Sequence, residues 1–518
     1  MNHLRDLSVL VLGLGDSGLA MARWCARHGA RVRVWDSRDE PPHAAVLAAE
    51  LQQVERLHGA LAAESLGDAK LVLKSPGLAP RDERIAPLVE HARGIGVAVQ
   101  GELDLYARAL ADLKADRGYA PQVLAVTGTN GKTTTTAMTA LLVERAGRRV
   151  ATAGNIGPTL LDTLTQALDD EAVLGHLPEV WVLELSSFQL DAVQGFEPDA
   201  AAVLNLTQDH LDWHGTMERY GAAKARIFGT RATIVVNRDD ARVMALLPVP
   251  PEPKPGKARG PKPQPRHVVR FGSDAPRAPG DYGIVVENGM AWLVRAHPVD
   301  DGARRRGGAD AAADEELHLQ RLMPADALRV RGRHNAANAL AALALATAIG
   351  CPLAPMLHGL REYHGEPHRV ELVVSFDGID AYDDSKGTNV GATVAALQGL
   401  GADRAPAKLA VILGGDGKGQ DFAPLAEPVA RHARAVATIG RDAAAIEVAL
   451  AGCSVPIERH DSLPAATRWA CAQARSGDAV LLSPACASLD MFRDYKHRAA
   501  VFVDAVRAVA AERTGAVT

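Results

Sequence analysis

The run Gly128-Thr129-Asn130-Gly131-Lys132-Thr133-Thr134 has the residue types of a triphosphate cradle. Its glycines let main-chain N–H groups turn inward around phosphate oxygens, and a helix N-terminus behind them adds a favourable dipole. Lys132 would neutralise the outer phosphates, and the Thr133 hydroxyl lies where a phosphate-bound Mg²⁺ is coordinated. ATP is therefore the expected ligand. The full G-x-x-x-x-G-K-[ST] pattern asks for glycine at position 126, and this sequence has Val126, so the loop is a variant.

Other groups could serve the same chemistry. Glu184 closes the apolar run Trp181 to Leu185, and Asp209-His210-Leu-Asp212 follows the run Ala201 to Leu204. Oxygen-rich groups at strand ends beside a phosphate loop suit Mg²⁺, which shares its ligands with phosphates. Lys224 lies in a helix-like stretch from Tyr220 to Phe228. Near the N-terminus, Gly13-x-Gly15-x-x-Gly18 with Asp36 at the end of the next strand forms a diphosphate fingerprint. Three polar turns come late in the chain: Asp383-Asp-Ser-Lys386-Gly-Thr388-Asn389, Gly414-Gly-Asp-Gly-Lys418 and Ser483-Pro-Ala-Cys-Ala-Ser488. Each follows an expected strand, where binding loops are built.

These groups need a scaffold of alternating strands and helices. Leu7 to Leu12 and Arg31 to Trp35 flank a helix ending near His28, with further strands at Leu71 to Leu73 and Val97 to Val99. A second unit has strands at Val123 to Val126, Trp181 to Leu185, Ala201 to Leu204 and Thr233 to Val236. The helix after its loop is expected over Thr134 to Ala146. Residues 248–265 hold eight prolines in eighteen positions, which excludes helix and central strand. That stretch and the Arg-, Asp- and Gly-rich residues 301–316 read as surface insertions, with ordered sequence resuming at Leu328. After a helix over Asn335 to Ile349, strands at Val370 to Phe376, Leu409 to Leu413, Ala435 to Ile439 and Ala479 to Leu482 make a third unit. A helix from about Arg498 to Glu512 closes it. The expectation is three α/β domains: a Rossmann-like 1–119, a central ATP-binding 120–366 with a parallel sheet, and a Rossmann-like 367–518.

Composition bounds the function. A chain of 518 residues requires several cores. A net charge of −5 offers no basic field for nucleic acid. Five scattered cysteines without a C-x-x-C pair argue against a disulfide framework or a thiolate zinc site. With no signal-like N-terminus and no apolar run long enough to span a bilayer, a cytoplasmic enzyme without a membrane span is expected.

Together, the loop Thr127 to Thr134, the segment Glu184-Leu-Ser-Ser-Phe-Gln-Leu190 and the run Arg333-His-Asn-Ala-Ala-Asn338 resemble the ATP-dependent Mur ligases. The first segment and the late turns narrow the resemblance to the D-glutamate-adding branch. The likeness covers nearly the whole chain outside the two insertions. It implies ATP-dependent addition of D-glutamate to UDP-N-acetylmuramoyl-L-alanine through an acyl phosphate, in cytoplasmic peptidoglycan precursor synthesis by a monomer.

The resemblance also implies residue roles. Asp16, Ser17, Asp36, Ser37, Arg38, Ser75 and Gly77 would contact the uridine diphosphate, and Asn155 the rest of that substrate. Asn335, Arg369, Asp384 and Lys386 would join residues 128–134 around ATP. Thr388, Lys418, Ser488, Leu489 and Tyr495 would surround D-glutamate, although Tyr495 stands where phenylalanine is expected. Two Mg²⁺ sites are implied, one through Thr133 and Glu184, the other through His210 and a carbamylated Lys224. Lys132, His210 and Lys224 would be the catalytic residues. Three alternatives stay open from sequence: a sister ligase or folate-polyglutamate type enzyme, a nicotinamide dehydrogenase built on Gly13 to Gly18, and a P-loop switch without ligase chemistry.

Overall fold

The computed structural model describes residues 2–191, 193–248, 266–299, 317–330 and 332–515. The expected insertions at 248–265 and 301–316, Pro248 apart, lie outside the described residues. The first sheet contains β1 (Ser8–Leu12), β2 (Arg31–Trp35), β3 (Glu55–Leu57), β4 (Leu71–Lys74) and β5 (Ala98–Gln100). All are parallel, in the order β3-β2-β1-β4-β5. The order reverses beside β1, and ligands of such sheets bind outside the strand ends at that switch. The first and last glycines of the turn there leave no room for a side chain. Gly13 has φ +89°, and a Cβ on Gly18 would lie 1.9 Å from the Gly13 carbonyl oxygen.

The second sheet comprises β6 (Gln122–Thr127), β7 (Val150–Gly154), β8 (Val180–Glu184), β9 (Ala200–Val203), β10 (Thr233–Asn237) and β11 (Val268–Phe271). Its order is β11-β10-β9-β6-β8-β7, all parallel, so β6 delivers the phosphate loop at the switch between β9 and β8. The central strands β6, β8 and β9 are buried on both faces, which explains their apolar runs. The loop helix, Lys132–Arg145, packs against the helix Arg333–Ala348, whose alanines permit a close, fully buried approach.

Ordered structure does not wait until Leu328, as the sequence had suggested. Besides β11, an antiparallel sheet is formed by β12 (Tyr282–Glu287), β13 (Met290–Pro298) and β14 (Leu317–Pro324). Only one face of it is covered. β13 and β14 therefore mix Arg, Gln and His with apolar residues, and the run Met290 to Val294 is followed at once by Arg295.

The last sheet contains β15 (Glu371–Phe376), β16 (Ile379–Asp383), β17 (Leu409–Gly414), β18 (Ala433–Ile439), β19 (Ile457–Arg459) and β20 (Ala479–Leu482), in the order β15-β16-β20-β17-β18-β19. It is parallel except for the β15–β16 hairpin. Helices start earlier than expected at Lys132 after the phosphate loop, at Arg333 and, for the C-terminal helix, at Tyr495. The first two sheets share one continuous core. Within it the Tyr106 ring meets Trp181 edge-on at 5.6 Å.

Candidate functional site

The phosphate loop is fixed from below before any ligand is considered. Val126, where the full pattern has glycine, is a fully buried strand residue, so the cradle begins only at Gly128. Gly131 has φ +81°, and a Cβ there would lie 2.7 Å from Asn338 Oδ1. The Asn205 side chain behaves like a peptide group: its Oδ1 accepts from Asn130 N at 2.8 Å, and its Nδ2 donates to Asn130 O at 3.0 Å. Lys132 Nζ curls back over the loop and donates to the carbonyls of Gly128 (3.0 Å) and Thr129 (2.8 Å).

Beside the loop, Glu184 is only 3% exposed, and its Oε1 accepts from Asn155 Nδ2 at 3.0 Å. Thr133 and Glu184 thus offer hard oxygen donors at the loop, a donor set that suits Mg²⁺. Lys224 is buried, with Nζ donating to Gly128 O (2.8 Å) and Thr127 Oγ1 (3.2 Å) and lying 4.7 Å from the centre of the Tyr220 ring. As an amine it is no metal ligand. Burial, reinforced by the charge of Lys132, holds its pKa well below the ordinary lysine value. His210 adopts φ +54°, with Nε2 3.5 Å from Asp209 Oδ2. Burial lowers its pKa; Asp209 opposes this, and the charges of Lys418, Lys132 and Lys224 add to the lowering.

The last sheet reaches into the same place. Arg369 Nη2 donates to Thr133 Oγ1 at 2.7 Å. Lys386 Nζ lies 5.1 Å from the centre of the Tyr495 ring, and burial followed by the charge of Arg369 brings its pKa down to about 8. Asp384 is buried and accepts from Ser483 Oγ at 2.6 Å; burial pushes its carboxyl up to about 7. Asn335 accepts from Asn338 Nδ2 at 3.2 Å, and both line a cleft with Gly131, Arg369 and Asp384. Lys132, Arg369 and Lys386 thus converge with Glu184 and Asp209 as the neighbouring anions. A polyphosphate is the ligand that completes such a cluster.

The D-glutamate candidates sit on the turns after β16, β17 and β20. Asp416 and Ala487 cross-link two of these turns through paired main-chain hydrogen bonds of 3.0 and 2.8 Å. Ser488 is buried there, Thr388 is half-buried, and Lys418 is exposed with φ +52°. Leu489 is set apart from them by a side chain that is 72% exposed.

At the first sheet, Ser75 Oγ donates to Gly13 O at 3.0 Å, with Gly77 in the same turn, and Ser17 Oγ donates to Glu102 Oε2 at 2.7 Å. Asp36 accepts from Leu14 N at 2.7 Å and takes a two-pronged contact from Arg38. Burial works against its charge, but the Arg38 hydrogen bond and the main-chain donors outweigh it and bring the pKa to about 2. Ser37 Oγ accepts from Arg84 at 2.9 Å. The Asp16 side chain points outward and meets His43 Nε2 at 2.6 Å.

Several residues that hold this arrangement escaped the sequence reading. Glu102 Oε1 accepts from Leu161 N at 3.0 Å while its other oxygen holds Ser17, joining the first two sheets. Buried Arg498 donates to Cys486 O (3.1 Å) and Ser385 O (2.8 Å), tying two late turns together. Asn389 joins its amide to that of Asn130. The available signal was a charged residue inside an apolar helical pattern for Arg498, and an N-cap asparagine for Asn389.

Comparison with known proteins accords with this geometry. Residues 7–101 match the MurD-like N-terminal domain of Mur ligases, residues 126–252 the Mur ligase middle domain, and residues 368–486 the Mur ligase glutamate ligase domain. The UDP-N-acetylmuramoylalanine–D-glutamate ligase of Albidiferax ferrireducens is 59% identical over 508 residues, 98% of this chain and 97% of that protein. The enzyme of the same name from Burkholderia mallei is 59% identical over 513 residues, with the same coverage. Among solved structures, the MurF ligase of Thermotoga maritima in complex with ADP has a TM-score of 0.57 at 16% identity, covering 98% of this chain and 96% of its own. UDP-N-acetylmuramate–alanine ligase from the same organism has a TM-score of 0.55 at 20% identity, covering 97% and 100%. The distant structures share the fold, the near relatives align over almost the entire length at 59% identity, and the chain belongs to the Mur ligase family.

Proposed function

We propose that this chain joins D-glutamate to UDP-N-acetylmuramoyl-L-alanine at the expense of ATP, as a monomeric cytoplasmic enzyme of peptidoglycan precursor synthesis with domains at 1–119, 120–366 and 367–518. The observation that carries the reading is the meeting of Lys132, Arg369 and Lys386, from two sheets, around one phosphate loop. Among the described residues no helix is long and apolar enough to cross a membrane.

An amine does not displace oxide from a carboxylate, so the carboxylate must first gain a leaving group. A carboxylate oxygen of the L-alanyl end attacks the γ-phosphorus, the bond to ADP breaks, and an acyl phosphate forms. The D-glutamate amine then attacks the acyl carbon. The tetrahedral adduct expels inorganic phosphate, and the nitrogen loses a proton to give the amide. Phosphoryl transfer of this kind relies on positioning and charge neutralisation. Lys132 with residues 128–134 would hold the phosphates, Arg369 and Lys386 would close on them, and Asn335 and Asp384 would hold the nucleoside end. Asp16, Ser17, Asp36, Ser37, Arg38, Ser75, Gly77 and Asn155 would hold the UDP-substrate. Thr388, Lys418, Ser488, Leu489 and Tyr495 would hold D-glutamate.

Thr133 and Glu184 would hold one Mg²⁺. His210 would hold a second together with Lys224, once the neutral Lys224 amine has added CO₂ and lost a proton to become a carbamate oxygen ligand. Bound Mg²⁺ would supply charge for the phosphate oxygens. The test is phosphate release from ATP and UDP-N-acetylmuramoyl-L-alanine with D-glutamate, L-glutamate, L-lysine or no amino acid. Release only with D-glutamate is expected; equal release without any amino acid would refute the reading.

A further inference from the structure

We infer that Asn389 is a positioning residue whose side-chain amide clasps the phosphate loop, so that the amino-acid side of the site and the ATP side are brought into register together. Asn389 Nδ2 donates to Asn130 Oδ1 at 2.9 Å, and Asn130 Nδ2 donates back to Asn389 Oδ1 at 3.1 Å. The two residues are 259 positions apart, one in the loop after β6 and the other before the helix Val390–Arg404 of the last sheet.

The remaining capacity of Asn389 is also used. Its Oδ1 accepts from Ala392 N at 2.9 Å as the helix cap, and its Nδ2 reaches Asp209 Oδ2 at 3.4 Å. Two acceptor and two donor positions are thereby filled in a residue only 4% exposed, and only a primary amide offers both sets. On the other side, Asn205 holds the main chain of Asn130 by its N–H and its carbonyl, so the clasp closes on a braced loop.

The helix behind Asn389 is shaped for this approach. A Cβ on Gly391 would lie 2.9 Å from Thr207 Oγ1, and one on Gly399 would lie 2.9 Å from Cε1 of the half-buried His334 ring. The helix therefore docks against the loop after β9 and the start of the helix Arg333–Ala348. Thr388 directly precedes Asn389, and Asp209 directly precedes His210. Closing the clasp consequently sets a D-glutamate candidate and a metal candidate in one movement, as expected of a domain closure that completes a site.

The plain alternative is that Asn389 only caps its helix. Serine separates the two roles, since it caps well but cannot reciprocate an amide. The inference uses the proposed reaction for its assay, so both are tested on the full-length chain. In N389S we expect an unchanged melting temperature and a KM for UDP-N-acetylmuramoyl-L-alanine within about two-fold of the unmodified chain. We expect kcat/KM for D-glutamate to fall roughly 10- to 30-fold, the scale of two lost hydrogen bonds. N130A and N389A should each lose activity, and the double variant should be no worse than the poorer single. Unmodified kcat/KM in N389S, or losses in N130A and N389A that multiply, would overturn the clasp. A failed functional reading looks different, because the unmodified chain would then show no D-glutamate-dependent phosphate release. In that case the same cycle is read on the ATP dissociation constant, where non-additive weakening supports the clasp and additive weakening overturns it.

Discussion

Replacing Glu102 by glutamine tests how the first two sheets are joined. The carboxylate is 2% exposed, accepts from Ser17 Oγ (2.7 Å) and Leu161 N (3.0 Å), and spans the glycine-turn helix and the helix that follows Asn155. Burial raises its pKa from 4.5 to about 7, against the opposing help of those two donors. At about 1.4 kcal/mol per tenfold, that shift is worth roughly 3 kcal/mol in favour of the protonated form. The sign follows directly. Below pH 4.5 both folded and unfolded chains are protonated and Glu102 costs nothing. As pH rises towards 7, the unfolded chain ionises first and the fold loses stability; above about 7 the deficit is constant. Glutamine keeps an acceptor for Leu161 and can donate to Ser17, and it never ionises. The stability difference between E102Q and the unmodified chain should therefore grow by about 3 kcal/mol in favour of E102Q between pH 4 and pH 8. Urea unfolding followed by tryptophan fluorescence reads it, since Trp24 and Trp181 lie in the core these sheets share. A difference that is flat with pH would refute the reasoning. E102A, which leaves both donors bare, should raise the KM for the UDP-substrate about ten-fold, whereas E102Q stays close to the unmodified value.

Three further outcomes are expected. Lys224→Ala should lose nearly all turnover and regain part of it with millimolar formate or acetate; full activity, or no rescue, would exclude the carbamate. Arg498→Lys keeps a charge but lacks the planar fork that bonds Ser385 and Cys486 together, so kcat/KM for D-glutamate should fall on the order of 10-fold in steady-state assays. Gly154→Ala would place a Cβ 2.1 Å from the Glu184 carbonyl at a φ of +124°, displacing Glu184 and Asn155. Misplacement of about 1 Å at a reacting centre costs on the order of 100-fold, so kcat should drop by that scale.

The parallel strands were legible because burial on both faces writes them as apolar runs, as in Val180–Glu184 and Leu409–Gly414. The phosphate loop was legible because glycine, lysine and threonine follow such a run at fixed spacing. The half-exposed β12 to β14 were not, since their short apolar runs are broken by Gly283, Arg295, His297 and Arg321 and lie between the two polar insertions. Short strands such as β3 and β19 carry too few residues for any period to show. Contacts between sheets were the least legible. Nothing at Glu102, Asn389 or Arg498 announces a partner tens or hundreds of residues away, because their roles come from tertiary placement. The resemblance named the groups proposed to face the reaction, whereas the residues bracing those groups emerged only from the fold.

The central claim is that ATP activates a carboxylate for attack by D-glutamate. It is tested most directly by placing ¹⁸O in the terminal carboxylate of UDP-N-acetylmuramoyl-L-alanine and analysing the phosphate released during D-glutamate turnover. The acyl-phosphate route predicts one ¹⁸O atom in each inorganic phosphate, because the attacking carboxylate oxygen leaves with the phosphorus. Phosphate free of label, released at the rate of product formation, would contradict it.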